Sequence, residues 1–206
     1  YADWSSDVCS SDLQYFAGLD TTGNVYWSYV YAVGPDEQEF KDLKCDPYGN
    51  AVVGSDVGLS GPSYGEMHFR KFDTNGTFVY ENLFDPVYAR DILNDFTLGL
   101  HGQTYLTGPF NTTGIFGNTV SALVVFDSSG LFSNFTTFDA SGYDEGHRLA
   151  VDSLGNVFCI VSGTDPSMGN TSHFDIMRYT ENGSPVWSVR NQMGVMTYQK
   201  AYDVFP

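Results

Sequence analysis

Basic residues are scarce in this chain. Lys and Arg total 9 against 25 Asp and Glu over 206 residues, a formal net charge of −16. Binding a phosphate backbone takes clustered cations, so this balance excludes a nucleic-acid partner. The acidity itself reads as solubility rather than as the mark of a cationic ligand. Long apolar runs are also missing, and no stretch approaches the roughly 20 residues of a membrane-spanning helix. Cysteine is rare. Cys45 falls at an apolar position of a predicted strand and reads as a small core residue, and Cys159 lies on a strand too distant to bridge to it. The four histidines, His68, His101, His147 and His173, share no recurring partner, so the sequence shows no nucleophile or acid–base constellation and no catalytic residue is assigned.

The first residues are set apart. Residues 3–13 read D-W-S-S-D-V-C-S-S-D-L, which resembles one reading frame of a common short-read sequencing adapter. Residues 1–13 are therefore treated as an adapter-derived scar outside the fold, and Cys9 goes with them. The chain is expected to be a metagenomic fragment cut at both ends, in which a signal peptide is not observable.

What the chain has in quantity is turn residues and aromatics: 22 Gly, 14 Tyr and 16 Phe, with only 17% charged residues. Their arrangement is repetitive. Apolar or aromatic runs joined by D-x-x-G occur as F-A-G-L-D-T-T-G from Phe16, F-R-K-F-D-T-N-G from Phe69 and L-V-V-F-D-S-S-G from Leu123, with I-M-R-Y-T-E-N-G from Ile176 as a fourth copy. Asp accepts hydrogen bonds from the backbone of the turn it begins, and Gly accepts the positive φ that closes it, so each copy predicts a hairpin. A second series interleaves with the first, its turns beginning at Asp46, Gly99 and Asp152. Both series step by about 53 residues, which predicts a repeat of four strands.

Four-stranded units repeating at this length fit the blades of a β-propeller, in which each blade buries its faces against its neighbours. The expected fold is all-β: a propeller fragment of about three and a half four-stranded antiparallel blades. Residues 14–206 form this partial propeller, with a half blade at 14–31, blades at 40–84, 92–138 and 146–190, and the start of a further blade at 198–206. Trp27, Tyr80 and Trp187 share one position after the turn, with Phe135 near it in the third copy, and are expected to pack between blades.

The segments F-D-I-M-R-Y-T-E-N-G-S-P-V-W-S and R-L-A-V-D-S-L-G-N-V-F-C-I-V-S-G resemble the bacterial SBBP-type β-propeller repeats. G-P-F-N-T-T-G-I-F-G-N-T-V-S-A-L-V-V-F-D-S-S-G is similar to the version found in secreted or surface-anchored proteins. The resemblance implies an extracellular or cell-surface repeat module. It departs from the usual pattern at Gly99 and Thr180, where the turn Asp is absent.

Candidate binding residues come from topology. In an up-and-down blade the D-x-x-G turns lie on one face and the longer connections on the other, and long loops carried on one rim are where such scaffolds bind. The connections at 32–39, 85–91 and 139–146 deliver Asp36, Asp91, and Asp144 with Glu145 and His147. Asp36, Asp91 and Asp144 offer the oxygen ligands that a hard cation takes, which makes calcium the one candidate cofactor, although loop capping or plain solvation accounts for these acids more simply. The expected function is a binding and scaffolding module for a protein or glycan ligand. The alternative is part of a propeller enzyme acting on polysaccharides, a hydrolase or lyase, whose catalytic residues lie largely outside this stretch.

Overall fold

The computed structural model describes residues 13–32, 39–57, 66–84, 91–111, 119–139, 143–165 and 171–195. Within these the chain is all-β, with fourteen strands and no helix. β1 (Leu13–Leu19) and β2 (Val25–Ala32) form a two-stranded sheet. β3 (Glu39–Cys45), β4 (Ala51–Val57), β5 (Glu66–Phe72) and β6 (Phe78–Phe84) form an antiparallel meander, each strand pairing the next. The same order recurs in β7 (Asp95–Leu98), β8 (Thr104–Asn111), β9 (Thr119–Phe126) and β10 (Phe132–Phe138). It recurs again in β11 (Tyr143–Val151), β12 (Val157–Asp165), β13 (Thr171–Tyr179) and β14 (Pro185–Val195). The last two meanders are joined by a single parallel bridge between Tyr143 and Thr119.

All seven predicted turns close in one way. The N–H of the first turn residue bonds the carbonyl four residues on, and the N–H of the Gly bonds back to the first residue, as in Asp20 to Asn24 and Gly23 to Asp20. The closing glycines, from Gly23 to Gly183, have φ between 77° and 86°, a conformation that L side chains resist. In five turns the Asp carboxylate accepts two backbone N–H bonds; Asp152, for example, takes those of Leu154 and Asn156, both at 2.9 Å. The Asn156 side chain, which donates to the same carboxylate, and these two amides hold Asp152 below the usual carboxylate range.

The two turns without Asp find substitutes. At Gly99 the Gln103 side chain folds into the space that an Asp would fill, and its Oε1 accepts the N–H of His101 at 3.1 Å. At Thr180 the hydroxyl accepts the N–H of Ser184 at 3.2 Å.

Each pair of successive sheets shares one core. Phe16, Trp27 and Tyr29 of the first sheet pack with Ala51, Val53 and Phe72 of the next. Val52, Met67 and Phe69 pack on Leu106, Val124 and Phe126. Tyr105, Leu123 and Val125 pack on Cys159, Val161 and Met177. Alternate residues of β9 thus face opposite neighbours, which is why A-L-V-V-F is continuously apolar rather than alternating.

A side chain in one register position crosses each of these interfaces as a lock, aromatic in the first two. A Cβ on Gly76 would lie 2.4 Å from ring atoms of Trp27, and one on Gly130 would lie 2.8 Å from the Tyr80 ring. In the third copy the predicted Phe135 is not the lock. A bulge between Phe132 and Asn134 shifts the register, so Asn134 covers Gly183 and donates to Asn182 O at 2.8 Å, while Phe135 turns into the core beside Phe84.

Gly23 has nothing within 4 Å of its Cβ position, although its φ of +86° matches that of the other closing glycines. Gly23→Ala is therefore expected to cost only the left-handed backbone penalty of about 1 kcal/mol, and Gly76→Ala about twice that because Trp27 must also move. Urea midpoints of the two variants separate the terms; equal losses would mean that the lock carries no packing energy.

Cys45 is exposed, against its expected place in the core, because β3 is half open to solvent along its length. Cys159 is buried among apolar side chains, and that burial pushes its thiol up to about 12.

Candidate functional site

One cluster of buried charged side chains lies at the loop end of the β11–β14 meander. Three strands in register carry Asp144 on β11, Gly163 on β12 and His173 on β13. Because the middle residue has no side chain, its neighbours meet above it, with His173 Nε2 3.2 Å from Asp144 Oδ1. The same Nε2 lies 3.3 Å from Asp175 Oδ2, two residues along β13 on the same face. Across the next strand, Arg190 clamps Asp175 with Nε at 3.1 Å and Nη2 at 3.2 Å. Asp144, His173 and Asp175 have side chains no more than 1% exposed, while Arg190 is 33% exposed and carries the network to the surface.

The chemistry of this arrangement is constrained. An ionised carboxylate only accepts, so beside ionised Asp144 and Asp175 the donor of these contacts would be His173 Nε2. The other ring nitrogen, Nδ1, is buried and has no hydrogen-bond partner among the described residues. Such a group is costly to leave unmade, and its presence here marks a place where packing has been given up for polarity.

The neighbouring residues extend the polar patch. His147 Nε2 contacts the Ser162 hydroxyl, and His147 Nδ1 lies 3.9 Å from Glu145 Oε1. Serine, histidine and an acid in that order suggest a nucleophilic triad, but 3.9 Å is too long for the orienting hydrogen bond. Ser162 also lies mid-strand, paired with Glu145 on one side and Phe174 on the other, rather than on an exposed turn. Glu145 is instead held by the amide of Asn94 at 2.8 Å, which donates at the same distance to Gly146 O and so ties β11 to the segment before β7.

Similar polar ties link the first strands of successive meanders. Lys44 on β3 reaches Asp95 at 2.9 Å, and Asp95 accepts the N–H of Leu149 on β11 at 2.7 Å. Asp56 accepts the N–H of Leu93 at 2.6 Å and pairs with Lys41 at 2.9 Å. Burial pushes the Asp56 carboxyl up to about 6 despite these partners. On the opposite, short-turn side, a cavity of about 490 Å³ lies between Gln103, Asp127, Glu181 and Asn182.

The predicted site residues fall as follows. Asp36 lies outside the described residues, as do residues 33–38, 85–90 and 140–142 of the connections expected to form the rim. Asp91, just before β7, is 2% exposed, and Asn111 N–H approaches its Oδ1 at 3.4 Å. Asp144, Glu145 and His147 lie inside β11 rather than in a preceding loop, because a bulge between Gly146 and Arg148 lets the strand begin at Tyr143. The sequence reading missed Gly163, His173, Asp175 and Arg190. Their signal lay in comparing copies in register: Phe110, Val120 and Ala122 of the second meander occupy the places of Gly163, His173 and Asp175.

Among the described residues, no three His, Cys, Asp or Glu side chains converge so as to hold a metal ion. Comparison with known protein families gives no match, and comparison with curated proteins gives none either.

Proposed function

We propose that the chain is an arc of a β-propeller that serves as a secreted or cell-surface binding and scaffolding module, taking a protein or glycan ligand at its long-loop rim. In this reading the meanders are blades, with β3, β7 and β11 as the innermost strands. The observation that carries it is the recurring interface. Trp27 on Gly76, Tyr80 on Gly130 and Asn134 on Gly183 join successive sheets face to face by one repeated contact, as the radial repetition of a propeller requires. The resemblance to SBBP-type repeats points the same way. Glu145 and His147 are the ligand-side residues, because they lie at the strand end that borders a long connection, with the buried Asp144–His173 pair beneath them.

A glycan array probed with the purified chain tests this reading. Binding that falls at least about tenfold in Glu145→Gln and His147→Ala, a loss of about 1.4 kcal/mol, is expected. An array without hits, together with release of reducing sugar from a polysaccharide, would move the assignment to the second reading, an enzyme. One observation favours that rival: Asp144 and Asp175 present two carboxylates to a single imidazole nitrogen. Their burial weighs against it, since a scissile bond has to reach them.

A further inference from the structure

We propose that the cavity between the second and third meanders, on the short-turn side, is a carbohydrate site that takes an amino sugar. The chain breaks its own repeat around this one space. In register, the second residue of the D-x-x-G turn is Thr21, Thr74 and Ser128 in three copies and Glu181 in the fourth. The lock is Trp27, Tyr80 and Trp187 elsewhere, but Asn134 in the second meander. The residue paired with the lock across its hairpin is Lys71 in the first meander and Arg178 in the third, but Val125 in the second. In the interleaved turns, Asn50 and Asn156 donate to the Asp that begins their own turn, at 2.8 and 2.7 Å. Their counterpart Gln103 instead donates across the interface to Glu181 Oε1, at 2.7 Å. A repeat gives up its consensus where a site takes precedence over regularity, and these departures meet at one interface.

What they leave is a polar space without a cation of its own. Lys71 pairs with Asp46 at 3.0 Å and Arg178 donates to Asn156 at 2.7 Å, so in the other two meanders the base at this position serves a neighbouring turn. Val125 in its place supplies an apolar wall, and Asn134, whose neighbour Ser133 and acceptor Asn182 line the cavity, is too short to fill it as a ring would. The volume of about 490 Å³ lies within the roughly 300–1,000 Å³ of small-molecule sites. The polar lining consists of the Asp127 and Glu181 carboxylates with amides and the hydroxyls of Thr180 and Ser184, and none of the lining residues is Lys, Arg or His. His101 is exposed and stands 3.6 Å from Glu181 Oε1, beyond hydrogen-bond reach. Glu181 is held in place from both ends, by Gln103 on its carboxylate and by the Tyr105 hydroxyl, which donates to its carbonyl at 2.8 Å. A fitting ligand has hydroxyls that both donate and accept, a C–H face for Val125, and a positive charge for the carboxylates. An amino sugar combines the three, and a sugar acid is repelled. The site uses none of the residues proposed for the long-loop rim.

Amide chemical shifts of the isotope-labelled whole chain, titrated at neutral pH to about 20 mM ligand, read the result. Glucosamine should move the amides of Gln103 and residues 180–184 with a dissociation constant of about 2 mM. Glucose should bind about threefold more weakly, the worth of one exposed charge contact. Glucuronate carries the wrong charge and n-butylamine only the right one, so neither should move these amides. Glu181→Gln keeps an acceptor for Gln103 and should bring glucosamine to the level of glucose. Asn134→Tyr restores the ring of the other copies and should abolish binding of both sugars without lowering the thermal midpoint. If that variant melts early, the Glu181→Gln comparison alone decides. No shifts with glucosamine, shifts centred on Glu145 and His147, or glucose binding as tightly as glucosamine would each overturn the proposal. So would a response to glucuronate or n-butylamine equal to that of glucosamine, or wild-type affinity in Glu181→Gln or in a stably folded Asn134→Tyr.

Discussion

Gly163→Ala should destabilise the chain by about 3 kcal/mol, far beyond what a strand Gly→Ala exchange ordinarily does. Propensity alone would favour Ala at this position. Here the new methyl would lie 2.3 Å from Asp144 Oδ1, 2.7 Å from the Tyr143 carbonyl and 2.8 Å from His173 Nε2. The carbonyl belongs to a strand held by the pairs Tyr143–Thr164 and Asp144–Gly163, so it cannot retreat alone. The other escape is to part Asp144 from His173, which leaves a carboxylate in a place where water cannot reach it. Urea midpoints give the loss, and a double-mutant cycle with Asp144→Ala gives its cause. If the methyl acts through the buried pair, the second substitution costs much less once the first is made. Full additivity, or a loss no greater than that of Gly23→Ala, would show that the sheet yields without disturbing the cluster.

That cluster shows what sequence reading reaches in this chain and where it stops. The turns were legible because their chemistry is local: Asp accepts amides two and four residues ahead, and Gly closes the loop, wherever the segment sits. The apolar character of the middle strands was legible too, since both of their faces meet other sheets. Gln103 replacing the turn Asp at Gly99 was harder to read, because the side chain reaches back from beyond the turn.

Bulges account for the errors of placement. One bulge exchanged Asn134 for Phe135 at the lock, and another drew Asp144 and Glu145 into β11, where D-E-G had suggested a loop. Neither bulge has a composition signal. The His173 network required a register across three strands and a glycine in the middle one, a relation between residues far apart in sequence. Cys45 was misplaced for a related reason, since its neighbours in register are apolar while β3 itself is half exposed.

The larger of the expected pH effects is hidden in the wild type by two buried groups of opposite sign. Asp56 on β4 is pushed by burial from 3.8 to about 6, although Lys41 and the Leu93 amide favour its charged form. His68 on β5 is pushed from 6.5 to about 4, first by burial and then by the Arg70 guanidinium. For Asp56 the folded state binds a proton more tightly than the unfolded state. Its contribution is therefore full below pH 3.8 and is lost as pH rises through about 6. For His68 the folded state binds a proton less tightly, so its contribution is full above pH 6.5 and is lost as pH falls through about 4. Each shift of roughly two units corresponds to about 3 kcal/mol, and between about pH 4 and 6 the two slopes oppose each other. Wild-type stability should accordingly be nearly level across that window. Asp56→Asn keeps an acceptor for Leu93 and removes one slope, so its stability should rise by about 3 kcal/mol from pH 4 to 6.5. His68→Gln should fall by a similar amount from pH 4 to 6, and the double variant should be level again. The turn carboxylates of Asp20, Asp46, Asp73, Asp127 and Asp152 are held below their ordinary value of 3.8, so their contributions are full well above that value and are lost as pH falls through the lower folded ones. Urea midpoints at four pH values for the four proteins decide the matter. Level profiles in both single variants would mean that neither buried group changes its proton affinity on folding.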